Sequence, residues 1–145
     1  MDWRKEAIND LKHHAQRQTA LGNLKDDIAT IEAQLSSVKS PTSDTTPVQG
    51  GGCPAEERII GLIDERDRKR QAYGITRRQV QKVERALACI TEQQRDVLDT
   101  FYVHRTQHHV DRLSEKYHIE CSRVYQLKDE AIIDFTRARY GLIEL

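Results

Sequence analysis

Near its C-terminal end the chain interleaves polar side chains with apolar ones, reading Cys121-Ser122-Arg123-Val124-Tyr125-Gln126-Leu127-Lys128-Asp129. On a helix, Val124, Leu127, Ala131 and Phe135 share one face. Ser122, Tyr125, Gln126, Lys128 and Asp129 take the opposite face, with Cys121 and Arg123 at its leading end. These residue types suit hydrogen-bonded recognition. A glutamine amide pairs bidentately with adenine, and a guanidinium with guanine or a phosphate. Tyr125 offers a hydroxyl for a phosphate and a ring for a thymine methyl. No constellation for catalysis is written anywhere. Gly50-Gly51-Gly52 lacks the Lys-Ser/Thr that follows a phosphate-cradling loop. Neither an enzyme activity nor a cofactor is expected.

A second group of residues is defined by charge. Arg66 to Arg85 holds eight basic and two acidic residues, a net of +6. Arg68, Arg70, Arg77, Arg78, Lys82 and Arg85 are candidates for contact with a DNA backbone or an acidic polymerase surface, although such runs commonly serve as a solvated face. From Thr91 onward there are eight basic and ten acidic residues, a net of −2. Nonspecific DNA affinity comes from phosphate neutralisation. A C-terminal module of this charge is therefore expected to bind DNA weakly unless it has a basic neighbour, a second copy or a partner protein. His104 and His108 fall four apart, yet a third ligand at useful spacing is missing, so no metal site is expected. His109 is placed near a helix start, within reach of a phosphate.

These residues need helices to position them. Val110, Leu113 and Tyr117 lie at i, i+3 and i+7, and the four residues Tyr117-His118-Ile119-Glu120 leave room only for a tight turn before the next helix. Ser114 is small and sits where a second helix could approach closely. Thr91 and Gln94 form a capping box ahead of Val97, Leu98, Phe101 and Tyr102. Three short helices with this spacing make a helix-turn-helix arrangement or a plain three-helix bundle. Upstream, Leu21, Leu24, Ile28, Ile31, Leu35 and Val38 step by threes and fours, as do Tyr73, Thr76, Val80, Val83, Leu87 and Ile90. Both are coiled-coil seams. Trp3, Ala7, Ile8, Leu11 and His14 keep no single register. Gly74, followed by β-branched Ile75 and Thr76, is the expected weak point of the second helix. The segment 39–54 is rich in Ser, Thr, Gly and Pro and reads as a flexible linker.

The stretch from Ile90 to Tyr140 resembles the C-terminal DNA-binding region of bacterial sigma factors. That family reads Leu-Thr-Pro-x-x-x-x-Val-Leu and then a helix-turn-helix with Val-Thr-x-x-x-Ile-x-Gln-Ile near its second helix. Ile90-Thr91 and Val97-Leu98 match the first part, and Ile119, Val124, Gln126, Leu127 and Ala131 the second. Arg123 and Gln126 match residues of the family's reading helix. Glu120, Cys121 and Ser122 stand where sigma factors commonly carry Thr, Arg and Glu, so a shared target sequence is not expected. The layout of the whole chain resembles small phage and prophage regulators of late transcription of the RinA and ArpU type.

The expected fold is all-α: a long coiled-coil hairpin, helices 1–38 and 55–90, followed by a three-helix helix-turn-helix head at 91–145. The resemblance implies a sequence-specific regulator of phage or prophage late transcription that binds double-stranded DNA with host RNA polymerase. Cys121, Ser122, Arg123, Tyr125, Gln126, Lys128 and His109 are the expected DNA-facing residues. The hairpin is expected to pair within one chain or to form a homodimer. A small-terminase-like packaging component and a protein-binding coiled-coil adaptor are the alternatives. Hydrophobic residues make up 37% and charged residues 32% of the 145, a mix poor in core and rich in surface, and no run of apolar residues approaches the length needed to span a bilayer. The opening Met-Asp-Trp-Arg-Lys-Glu lacks a signal peptide's apolar run, so a cytoplasmic location is expected. Cys53, Cys89 and Cys121 form no Cys-x-x-Cys pair and are expected to be free thiols, with Cys89 packed beside Leu87 and Ile90. Gly141 is expected to stop the last helix, and Leu142, Ile143 and Leu145 to cap the bundle.

Overall fold

A computed structural model describes residues 1–39 and 54–141. Residues 40–53 of the expected linker, Cys53 among them, and the apolar tail Leu142, Ile143 and Leu145 lie outside the described residues, while Lys39 and Pro54 at the linker's two ends belong to helices. All regular structure among the described residues is helical: α1 Trp3–Lys39, α2 Pro54–Cys89, α3 Glu92–Leu98, α4 His109–Tyr117 and α5 Cys121–Tyr140, with a π-helical turn at Asp99–Val103 continuing α3. None of these helices is long and apolar enough to cross a membrane. The chain divides into two compact units. One joins Met1–Gln18 to Arg78–Leu145, and the other is Thr19–Arg77.

The first unit is larger than residues 91–145 alone. Its main core gathers Ala7 and Leu11 from α1, Val83 and Ala86 from α2, Leu98 from α3, and Ala131, Ile132 and Phe135 from α5, with Ile90 between α2 and α3. Ala7, Leu11 and His14 do share one buried face, at i, i+4 and i+7. His14 is 4% exposed, and its Nδ1 finds no hydrogen-bond partner among the described residues. Burial is the main cause that lowers its pKa below the ordinary 6.5, opposed by the Glu84 carboxylate and assisted by Arg17.

Asp10 ties α1 to the end of α5. It accepts from Tyr140 Oη at 2.6 Å and Arg139 Nε at 3.2 Å, while its other oxygen takes Arg17 at 3.2 Å. Burial and the bond to Asp10 push the Tyr140 phenol up to about 12. Trp3 lies on the same ring, with centroids 5.0 Å apart. Gly141 ends α5 at φ 96°, a left-handed value that glycine adopts without a Cβ clash, and its N–H donates to Arg137 O at 2.8 Å.

Two expectations for α2 differ from what is found. The helix runs through Gly74 without interruption. Cys89 is exposed, because Val83, Ala86 and Ile90 take the inward positions and leave Ala88 and Cys89 on the outer side. In the second unit Ile31 and Leu35 are buried, whereas Leu21, Leu24, Ile28 and Val38 are only half-buried. Lys69 reaches Asp27 at 3.1 Å and Arg70 reaches Glu32 at 2.6 Å, so the α1 and α2 segments of that unit lie side by side.

Candidate nucleic-acid interface

A second core, Val97, Phe101, Leu113 and Val124, holds α3, α4 and α5 together. Its frame is set by local chemistry. Thr91 Oγ1 accepts from the Gln94 N–H at 3.2 Å, and Gln94 Oε1 accepts from the Thr91 N–H at 3.0 Å, which is the expected capping box. The same Gln94 side chain donates to Asp134 on α5 at 2.7 Å, so the cap also fixes α3 against α5. Asp96 accepts from Lys116 Nζ at 2.6 Å and Tyr117 Oη at 2.5 Å, which fixes α3 against α4. Burial works to raise the Asp96 carboxyl pKa, but these two donors outweigh it and hold it below the usual value.

The corner between α4 and α5 is three residues, His118 to Glu120. His118 is left-handed at φ 53°, which lets the chain turn within one residue. Ser114 does more here than leave space. Its hydroxyl donates to Ile119 O at 2.5 Å, and the Ile119 N–H donates to Ser114 O at 3.1 Å, closing the turn from both sides. Glu120 precedes α5 without a side-chain cap bond, so the first N–H groups of α5 are not capped by it.

The π turn has a visible consequence. The His104 N–H reaches back five residues to Asp99 O at 2.8 Å, and Thr100 Oγ1 donates to Asp96 O at 2.8 Å. Phe101 lies in the core with its ring edge-on to His109, centroids 4.7 Å apart, and to Tyr125, 6.0 Å apart. Lys128 Nζ stands 6.0 Å from both the Phe101 and Tyr125 ring centroids and bonds Asp129 at 2.7 Å. Burial works against the Lys128 charge, yet Asp129 and the nearby tyrosines raise its pKa. Thus His109, Tyr125 and Lys128, expected as separate contacts, form one aromatic-cationic patch around Phe101.

Beside that patch Val124, Leu127, Ala131 and Phe135 are buried, as their spacing predicts, and Ile132 and Thr136 join them. Ser122, Arg123, Tyr125 and Gln126 are exposed along the first two turns of α5. Cys121 is also exposed, its Sγ 3.8 Å from Asp111 Oδ1. Arg123 Nη1 donates to Gln126 Oε1 at 3.2 Å and Glu130 Oε1 at 3.3 Å. Glu130 was not among the expected residues; its place seven after Arg123 is the only signal the sequence carries.

No family model, no curated protein and no solved structure matches this chain.

The basic residues of α2 separate into two groups. In the second unit Arg70 is paired with Glu32, while Arg68 borders a shallow hollow with Asp64, Asp67 and Gln71. In the first unit Arg78, Lys82 and Arg85 lie at i, i+4 and i+7, one exposed face of α2. Among the described residues no ion pair holds them, nor Arg77 of the second unit. Arg78, Lys82 and Arg85, together with the charges of Met1–Gln18, alter the charge of the unit that contains α3, α4 and α5. It has fifteen basic and fourteen acidic residues, a net of +1 where Thr91 onward alone is −2.

His104 Nδ1 lies 2.8 Å from Asp99 Oδ1, and His108 is left-handed at φ 57° just ahead of α4. Among the described residues no three His, Cys, Asp or Glu side chains converge to hold a metal ion. A hollow of about 290 Å³ between the π turn and α4 is lined by Asp96, Asp99, Thr100, His104, Arg112 and Lys116 among others, and two of its carboxylates already have the partners named above.

Proposed function

We propose that this chain is a sequence-specific regulator of phage or prophage late transcription, binding double-stranded DNA through α4 and α5 and acting with host RNA polymerase. The observation that carries the reading is the α4 to α5 corner. Two helices joined by three residues present the first turns of the second helix outward, with Ser122, Arg123, Tyr125 and Gln126 exposed above a fully packed stripe. A helix of this kind enters the major groove with its N-terminal residues toward the base edges. The basic face Arg78, Lys82 and Arg85 supplies the phosphate neutralisation that a module of net −2 would lack. The regulatory role and its phage setting rest on the resemblance to sigma factors and to the late regulators. In this reading the long helices form a coiled-coil hairpin that carries the helix-turn-helix head, in the cytoplasm of the bacterial host, and set the oligomeric state or touch polymerase.

One observation favours a protein-binding adaptor instead. The charge of the first unit is nearly balanced, and Arg123 and Lys128 are each paired with a carboxylate of α5 itself. The deciding experiment is selection of bound fragments from the parent genome with the full chain, with and without RNA polymerase. Enrichment of a discrete site supports regulation. Absence of any preferred fragment under both conditions replaces it with the adaptor reading.

A further inference from the structure

Arg123, Gln126 and Glu130 form a connected set on the exposed side of α5. Arg123 Nη1 donates to Gln126 Oε1 at 3.2 Å and to Glu130 Oε1 at 3.3 Å, with the Arg123 and Glu130 side chains about half exposed. Both hydrogens on Nη1 are thereby used, and the guanidinium keeps its Nε and Nη2 donors for a ligand. The orientation of the Gln126 amide follows from chemistry. Arginine offers only donors, so the amide oxygen must face it. What Gln126 then presents outward is its Nε2 amino group. Toward a ligand the set therefore presents the Arg123 Nε and Nη2 donors and the Gln126 Nε2 amino group.

We infer that Arg123 is the specificity-determining residue of α5 and reads guanine, while Gln126 and Glu130 are positioning residues that hold its guanidinium. Guanine shows two acceptors, N7 and O6, in the major groove, which match two guanidinium donors. Adenine shows the N7 acceptor beside the N6 donor, so a bidentate glutamine needs its amide oxygen free to accept. Here that oxygen is turned to Arg123. Gln126 is thereby moved from the adenine-reading role that its residue type suggests. Glu130 also orders a long side chain before any ligand arrives, which lowers the entropy lost on binding. This inference rests on the DNA-binding reading of α5.

The test is selection by the full-length protein from a library of duplexes with a randomised core, followed by titration of the enriched duplex. Enrichment should fix a guanine at one position. Replacing that guanine by 7-deazaguanine, which lacks the N7 acceptor, should weaken binding by roughly five- to a hundredfold for wild type. In Arg123→Ala this penalty should vanish. In Glu130→Gln, an isosteric change on an exposed surface, it should shrink severalfold while affinity for random duplex stays the same or rises. A purely structural role for Glu130 would leave the penalty unchanged, which overturns its positioning role. A preferred adenine lost on Gln126→Ala, or a guanine preference that survives Arg123→Ala, overturns the inference while DNA reading by the protein stands. No enriched duplex overturns both.

Discussion

Shortening Leu11 to alanine should destabilise the unit that carries α3, α4 and α5, although Leu11 lies far from them in sequence. Its side chain has no exposed surface and packs in one cluster with Val83, Leu98, Ala131 and Phe135. Truncating a fully buried leucine costs about 2–5 kcal/mol, the spread depending on how far the site can collapse. In a unit of this size each kcal/mol moves Tm by roughly 4–8 °C, so the midpoint should fall by at least about 8 °C. The chain contains one tryptophan, and Trp3 rests on Tyr140 at 5.0 Å. Its emission during heating therefore reports whether α1 still sits on the end of α5. Leu24→Ala, at a half-buried site of the other unit, should move this signal far less. A Leu11→Ala shift below about 3 °C, which is under 1 kcal/mol on the same scale, would refute the shared core.

Three further outcomes are expected. Thr91→Ala removes the acceptor for the Gln94 N–H and should lower stability by about 0.5–2 kcal/mol, read from the urea midpoint. His14 should make the protein acid-sensitive: its pKa is depressed in the folded state, so folding costs nothing there above the ordinary 6.5. As pH falls below 6.5 the unfolded chain takes up a proton that the folded chain resists, and stability declines until the folded pKa is reached. Glu84 and Asp99 facing His14 moderate this loss, while Arg17 and His104 deepen it, and His14→Leu should flatten the slope of stability against pH between 7 and the lower end of the titration. Replacing Arg78, Lys82 and Arg85 with Gln should weaken binding to cognate and random duplexes by similar factors and flatten the salt dependence, by about 0.9 in log–log slope for each phosphate contact removed. Titrations of both duplexes at several salt concentrations read this directly, and a loss confined to the cognate duplex would show that these residues read sequence.

What could be read in the chain alone depended on how local the cause was. Val124, Leu127, Ala131 and Phe135 announce their buried face by spacing, and Thr91 and Gln94 announce a cap within four residues. The Ala7, Leu11 and His14 face was hidden because a small residue and a polar one flank its single leucine. Its partners on α2 and α5 are also more than sixty positions away. His118 takes a left-handed turn that more often asks for glycine or asparagine, so nothing in its type signals the corner. The π turn depends on a one-residue slip in backbone bonding, which leaves no trace in an apolar period. Cys121, Ser122, Arg123, Tyr125 and Gln126 were legible as an exposed face. That Arg123 bonds Gln126 and Glu130, and that Phe101 gathers His109, Tyr125 and Lys128, required side-chain positions that spacing does not specify.

The Asp10 junction bears on how the protein is made. Asp10 meets Arg139 and Tyr140 across 129 and 130 positions of sequence. Leu11 likewise waits for Ala131, Ile132 and Phe135 before its core can close. At about 5–20 residues per second, Asp10 is synthesised roughly 6–25 s before the last turn of α5 that it binds. During that interval the Ala7, Leu11 and His14 face has no α5 to cover it, and the nascent chain presents it to whatever chaperone or neighbouring chain is at hand. Loop-closure entropy grows only slowly with length, so the delay is set by translation more than by the search that follows. Newly made copies on one message, each with an uncovered α1, are therefore the species in which exchange of α1 between chains would arise.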